Sequence, residues 1–127
     1  MPMTYNLANQ IANATLRNQS YTSPANVYAA LYSTAPTVST NGTELTGNGY
    51  ARVLTTFATP ANGSASTNSA TTFGPCTTNN WLTVTAFGIV DASSGGNIMY
   101  FKTISGRNIK VGDSFTIDSG NLTITIT

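Results

Sequence analysis

The stretch Leu82–Lys102, LTVTAFGIVDASSGGNIMYFK, decides the fold class of this chain. Residues 82–90 are rich in β-branched and apolar side chains, and residues 97–102 continue in the same style. Between them, residues 91–96 supply an Asp, two Ser and two Gly, the residue types that reverse a chain direction. This stretch predicts an antiparallel β-hairpin.

The C-terminal residues predict a strand with one apolar face. The apolar residues Leu122, Ile124 and Ile126 alternate strictly with Thr123, Thr125 and Thr127. A period of two places alternate side chains on opposite faces of a strand, and a half-buried antiparallel strand has this pattern. We therefore expect residues 122, 124 and 126 to face the core.

Further short strands are indicated at 27–32, 50–57, 68–73 and 114–117. Polar segments at 36–49 and 58–67 carry Pro, Asn and Gly and are predicted to be loops. About seven short strands with regular turns predict a mainly β fold, an antiparallel β-sandwich or partly closed barrel.

Helical spacing of apolar residues occurs only near the start of the chain. Residues 4–18 predict one short N-terminal helix, with Thr4 as its cap and an apolar face that packs on the sheet. Strands are expected from about residue 26 to residue 127. A chain of 127 residues without an internal repeat predicts a single domain over 1–127.

The composition disfavours catalysis. The chain has no histidine, and it has only nine Asp, Glu, Lys and Arg residues. The four carboxylates lie in or beside turns, where a structural role is expected; they are Glu44, Asp91, Asp113 and Asp118. The single Cys76 is expected to be buried, and it has no histidine to activate it. We predict no enzyme activity, no metal site and no cofactor, so a small hydrolase is the disfavoured hypothesis.

The charge balance bears on partners. Five basic residues and a formal net charge of +1 are too little to neutralise many phosphates, so we expect no nucleic-acid binding. No run approaches the ~20 apolar residues of a membrane helix, so no membrane insertion is expected. Little charge repulsion opposes self-association, which favours a homo-oligomer, a dimer or a trimer.

Aromatic residues divide between core and contact surface. Three tyrosines within predicted strands are assigned to the core: Tyr28, Tyr50 and Tyr100. Tyr5 and Tyr21 flank the helix and, with Arg17 in its last turn, are the candidate partner-interface residues. Trp81 begins a strand, which favours a core role over stacking on a sugar.

Two segments carry a resemblance to a known group of proteins. They are Glu44–Arg52, with the pattern Glu-Leu-x-Gly-x-Gly-Tyr-Ala-Arg, and Phe87–Ala92, with the pattern Phe-Gly-Ile-x-Asp-Ala. In this order and over nearly the whole chain, the sequence resembles small virion proteins of tailed bacteriophages, often labelled tail fibre proteins. It is also similar to phage capsid cement proteins. Arg52 is expected to pair with Glu44 across the glycine-containing loop.

The resemblance implies a non-enzymatic virion structural protein. The first hypothesis is a capsid cement, or decoration, protein that binds the outside of the shell and has the major capsid protein as its partner. The alternative is a tail-associated module that binds a receptor or glycan through Trp81 or exposed tyrosines. Contacts are expected from the helix region with Tyr5, Arg17 and Tyr21, and from the loops at 36–49 and 58–67.

Overall fold

The computed structural model describes residues 1–126, so the predicted strand end at residue 127 lies outside the described residues. One helix precedes the strands, and its bounds are α1, Tyr5–Leu16. The strands are β1 (Val27–Thr34), β2 (Thr43–Glu44), β3 (Val53–Thr55), β4 (Ser64–Ser66), β5 (Thr71–Phe73), β6 (Thr83–Val90), β7 (Ile98–Asn108), β8 (Phe115–Ile117) and β9 (Thr123–Thr125).

The main sheet is built around β1. Strand β6 pairs with one edge of β1 and β7 pairs with β6, while β2 and β3 share the other edge of β1. All of these pairs are antiparallel, with Leu31 opposite Phe87 and Ala30 opposite Gly88. The predicted hairpin at 82–102 is confirmed as β6 and β7. Strand β7 continues to Asn108, past an irregularity in its pairing with β6 near Val84.

Two small sheets complete the fold. Strand β4 pairs with β9, and β5 pairs with β8. Their exposed hydroxyls meet across the strands in three pairs: Ser64–Thr125 at 3.0 Å, Ser66–Thr123 at 2.7 Å and Thr72–Thr116 at 3.2 Å. Because the sheets of the described chain are separate, the arrangement is sandwich-like and no barrel closes. The predicted loop at 58–67 is wrong at its end, since residues 64–66 pair with β9.

The larger core lies on one face of the main sheet and is rich in aromatic residues. The Tyr50 ring stacks on Phe73 with centroids 6.2 Å apart, and its other contact is edge-on with Trp81 at 5.9 Å. Phe73 in turn meets Phe115 at 6.2 Å. Such ring pairs add about 0.5–1.5 kcal/mol each beyond the area that they bury. The core assignment of Trp81 is confirmed, because its side chain is buried.

A smaller core lies on the opposite face of the sheet. Its buried members are Ala30, Tyr32, Ala86, Val90, Ile98 and Phe101, and partly buried Tyr28, Ala35 and Val38 pack against them. The chain after β1 therefore folds back over this face. Gly88 makes room there, since a Cβ at this position would lie 3.1 Å from Cε2 of Tyr32. Of the other tyrosines assigned to the core, Tyr50 and Tyr100 pack against the larger cluster and are partly buried.

Helix α1 is attached mainly at its beginning. The Thr4 hydroxyl accepts from the Leu7 N–H at 3.4 Å and donates to the Ile98 carbonyl oxygen at 2.7 Å, so the cap is bonded to β7. The helix ends at Leu16, near Asn18 with its left-handed φ of 55°. Arg17 is therefore the C-cap residue and is not in the last turn. No helix among the described residues has the length and apolarity needed to cross a membrane.

Two predicted apolar faces are only partly right. Leu7 is the one buried residue of α1, and Leu16 is 81% exposed, because it lies nine residues further on, on the opposite side of the helix. At the C-terminus Leu122 and Ile124 are buried as expected, whereas Ile126 is 50% exposed. Ile126 lies beyond the last β4–β9 pair, Ser64–Thr125, where no strand covers it.

Candidate functional site

The predicted contact residues are all exposed, but they do not form one cluster. Tyr5 begins α1, and its backbone N–H donates to the Val38 carbonyl oxygen at 2.9 Å, which joins the helix to the 36–49 loop. Tyr21 lies beside the first half of the helix and lines a hollow with Asn6 and Gln10. Arg17 stands at the other end of the helix. At 1.5 Å per residue it is about 18 Å along the axis from Tyr5.

Helix α1 has an exposed apolar stripe that the sequence alone does not distinguish from the face that packs on the sheet. Tyr5, Ala12 and Leu16 are spaced seven and four residues apart, so they share one side of the helix. All three are exposed, and the helix carries no charged residue. The spacing is visible in the sequence, but the apolar residues of the helix lie nearly all around the axis. The structure identifies the stripe, because the buried Leu7 shows which side of the helix faces the sheet.

The expected pairing of Arg52 with Glu44 is confirmed. The Arg52 Nε donates to Glu44 Oε2 at 2.9 Å, and its NH2 donates to Oε1 at 2.8 Å. The NH1 group donates to the carbonyl oxygens of Ala92 and Gly95 at 2.8 and 2.7 Å. One guanidinium thus ties the 43–52 segment to the turn between β6 and β7. A planar fork with five donors is suited to such a junction.

Tyr50 supports the same carboxylate. Its hydroxyl donates to Glu44 Oε2 at 2.6 Å and accepts from the Leu31 N–H at 3.0 Å. Burial, assisted by the hydrogen bond to Glu44, raises the pKa of Tyr50 well above its usual range. Burial also raises the pKa of Glu44, but the hydrogen bonds from Arg52 and Tyr50 and the charge of Arg52 outweigh it and leave that pKa lowered. The pair is therefore ionised at neutral pH.

Two of the other carboxylates, those of Asp91 and Asp113, accept hydrogen bonds from backbone N–H groups. Asp91 Oδ1 accepts from the Asn97 N–H at 2.7 Å, and Asp113 Oδ2 accepts from the Lys110 N–H at 3.2 Å, so both close turns as predicted. Cys76 is buried, as expected. Among residues 1–126 no three His, Cys, Asp or Glu side chains are grouped closely enough to hold a metal ion.

Trp81 is not available to a glycan. Its side chain is buried, and its indole Nε1 donates to the Asn48 carbonyl oxygen at 2.8 Å. A sugar would need the open face of the ring, so the idea that Trp81 stacks on a glycan is wrong. Of the aromatic residues considered for glycan binding, Tyr5 and Tyr21 are exposed and could still stack on a sugar.

Comparison with known proteins adds one finding. The sequence model of a family described as "Podophage GP4 fiber I protein gp80" matches residues 2–125. The match covers both segments that carry the resemblance to phage virion proteins, Glu44–Arg52 and Phe87–Ala92. A search of curated proteins gave no significant match.

Proposed function

The chain belongs to the Gp80 family of podophage fibre I proteins, and from this membership we propose that it is a non-enzymatic subunit of a virion fibre. The family match over residues 2–125 is the observation that carries the proposal. The residue inventory supports it, since the chain has no histidine and Asp91, Asp113 and Glu44 each serve a turn or an ion pair.

The dimensions of the domain bear on how it would serve a fibre. The longest strand, β7, has 11 residues and spans about 36 Å at 3.3 Å per residue. A domain of this size has a radius of gyration of about 14 Å. One copy is therefore much shorter than an extended fibre. We propose that several copies contribute, through the homo-oligomer that the low charge favours, as a dimer or a trimer.

The proposed contact surface combines the stripe on α1 with its surroundings. Leu16 and Tyr5 are large apolar side chains left in solvent by the fold, and Arg17 and Tyr21 flank them. Exposed apolar residues of this kind gain by burial against a partner, about 25 cal/mol per Å² of apolar area. Because the helix has no charge of its own, binding through it should persist at high salt.

Capsid cement remains the second candidate. It is favoured by the compact shape, because a subunit that sits on a shell needs no shaft. In this role the partner is the major capsid protein, and the protein would stabilise the shell by binding only its assembled form. The two candidates differ in location, tail or capsid surface, and neither requires nucleic acid or a membrane.

Imaging of labelled virions tests the location. A compact tag recognised by a gold conjugate is added to the protein, and purified particles are imaged. Label on fibres or tail supports the fibre proposal, and label spread over the shell supports the cement candidate. Absence from purified virions would overturn both.

A matched pair of variants tests the contact surface. Leu16→Asp places a charge in the exposed stripe, and Leu82→Asp places the same charge at another exposed leucine, outside the stripe. Particles lacking the protein are supplied with each purified variant, and bound copies are quantified. We expect wild type and Leu82→Asp to bind and Leu16→Asp to fail. Equal binding of all three would refute the role of the stripe.

A further inference from the structure

A groove crosses the second face of the main sheet and borders the contact surface described above at Tyr5. It consists of two adjoining hollows of about 230 and 340 Å³ that share Asn41 and Ile98. One hollow reaches Arg52 and the other reaches Tyr5. Together the hollows fall in the size range of small-molecule sites, about 300–1,000 Å³. The groove is therefore large enough for a ligand of more than one ring.

The Tyr32 hydroxyl is the unusual group in this groove. The residue is only 2% exposed and lines the smaller hollow. The Tyr32 hydroxyl makes no hydrogen bond with a group of residues 1–126. Every side-chain N or O atom that is fully buried in this part of the chain does have a hydrogen-bond partner, so the Tyr32 hydroxyl is not fully buried. The hydroxyl must therefore open into the hollow. Burial, together with the Glu44 charge, raises the pKa of Tyr32 to about 12, so the O–H can donate at neutral pH.

The ion pair beside it has unused hydrogen-bonding capacity. Arg52 uses four of its five N–H groups, which leaves one NH2 hydrogen free. Glu44 Oε1 accepts a single bond, from Arg52, and so retains a second acceptor position. The Asn41 amide makes no side-chain hydrogen bond to the described residues and also lines the hollow. Donors and acceptors are thus both available within one small space.

The charge balance selects the class of ligand. The groove contains one cation and one anion that are already bonded to each other. An added anion would be repelled by the Glu44 carboxylate, and an added cation would be repelled by the Arg52 guanidinium. Val90 and Ile98 add apolar lining to the smaller hollow. A pyranose ring has the matching character, since it is neutral, has an apolar face and carries adjacent hydroxyls that both donate and accept.

We propose that this groove binds a neutral saccharide of two or three residues, with one sugar seated between the Tyr32 hydroxyl and the Glu44–Arg52 pair. For its biological use this inference rests on the virion function proposed above, where such a site would contact a surface glycan. The chemistry of the groove itself does not depend on whether the protein lies on the tail or on the shell.

The test is a titration of the isotope-labelled protein, followed by the chemical shifts of its backbone amides. The probes are maltose, lactose, cellobiose and chitobiose, with glucuronic acid and glucosamine as charged comparisons. We expect at least one neutral disaccharide to shift the amides of residues 41–44 and 95–98 in a saturable way. Neither charged sugar should bind more tightly.

A matched pair of variants assigns the hydroxyl. Tyr32→Phe removes one oxygen and keeps the ring on Gly88, while Tyr28→Phe makes the same change on the same strand outside both hollows. We expect Tyr32→Phe to weaken binding about tenfold, as the loss of one good hydrogen bond does, and Tyr28→Phe to leave it unchanged.

Three results would overturn the proposal: no saturable shift with any neutral probe, tighter binding of a charged sugar, or equal affinity of Tyr32→Phe and wild type. The amide spectra of both variants report whether each remains folded. None of these results would alter the location of the protein in virions, which the labelled particles test separately.

Discussion

Breaking the ion pair between Glu44 and Arg52 is expected to cost a measurable part of the stability of the fold. The two side chains are 24% and 12% exposed, so the pair lies between a surface pair and a buried pair. Surface pairs contribute about 0–1 kcal/mol. Removing one partner of a buried pair costs about 3–5 kcal/mol. Two direct hydrogen bonds join these groups, and we expect a coupling free energy of about 2 kcal/mol.

The individual changes should differ in size. Arg52→Met removes the pairing and also the two bonds to the Ala92 and Gly95 carbonyl oxygens, at about 1 kcal/mol each. We therefore expect Arg52→Met to lower the free energy of unfolding by about 3–4 kcal/mol. Glu44→Gln should lower it by about 2 kcal/mol, and the double variant should resemble Arg52→Met.

Urea unfolding of the four proteins measures these free energies. The fluorescence of Trp81, the single tryptophan, reports the transition, because this side chain is buried in the folded protein. The double-mutant cycle then isolates the coupling between the two side chains. A coupling below about 0.5 kcal/mol would refute the reasoning, since the pair would then behave as a solvated surface pair.

The same pair predicts a dependence on pH. The folded pKa of Glu44 is lowered from its ordinary value of 4.5, so its stabilisation is present above that pH and is lost as the pH falls through the folded value. Unfolding of the wild type should therefore become easier below about pH 4.5 by more than that of Glu44→Gln. Parallel pH profiles for the two proteins would contradict the assignment.

Four further substitutions test the packing of the fold. Ile124→Ala should lower the free energy of unfolding by about 2–5 kcal/mol, because this side chain is only 8% exposed. Ile126→Ala should lower it by under about 1 kcal/mol, since half of that side chain is in solvent. Urea unfolding of both variants tests which residues of the C-terminal strand face the core. Tyr50→Phe removes one donor from Glu44 and leaves the Leu31 N–H without the hydroxyl that accepts from it, so we expect a loss of about 1–3 kcal/mol by the same assay. Gly88→Ala places a Cβ 3.1 Å from both the Tyr32 ring and the Tyr100 carbonyl oxygen, and a loss of about 1–3 kcal/mol in thermal unfolding is expected. An unchanged transition would show that both neighbours can move aside.

Local patterns predicted local structure well. The hairpin of β6 and β7 follows from residue types within one stretch of 21 residues, and Thr4 was identified as the cap of α1 from its position alone. Ile126 shows the limit of such patterns. The alternation continues through it, but burial depends on how far the partner strand extends, and β4 begins only at Ser64, some 60 residues away in the chain.

The candidate sites show the same division. Glu44 and Arg52 are eight residues apart across a glycine-containing loop, so their pairing could be predicted from the sequence. The bonds from Arg52 to the turn after β6 join residues about forty positions apart, and only the pairing of β1 with β6 brings them together. The groove depends on the same pairing. Tyr32 was not singled out because an alternating strand gives no sign of which hydroxyl lacks a partner.

The cross-strand hydroxyl pairs of the two small sheets have a consequence for how the surface of this protein responds to its medium. Ser and Thr hydroxyls on β4, β5, β8 and β9 hydrogen-bond to one another and to water without carrying charge. Histidine is the side chain that ordinarily changes charge between pH 5 and 8, and this chain has none. A protein with such surfaces would keep nearly constant electrophoretic mobility across that interval. Its dispersion in water would depend on the hydration of hydroxyls, which neither dilution of salt nor mild acid removes.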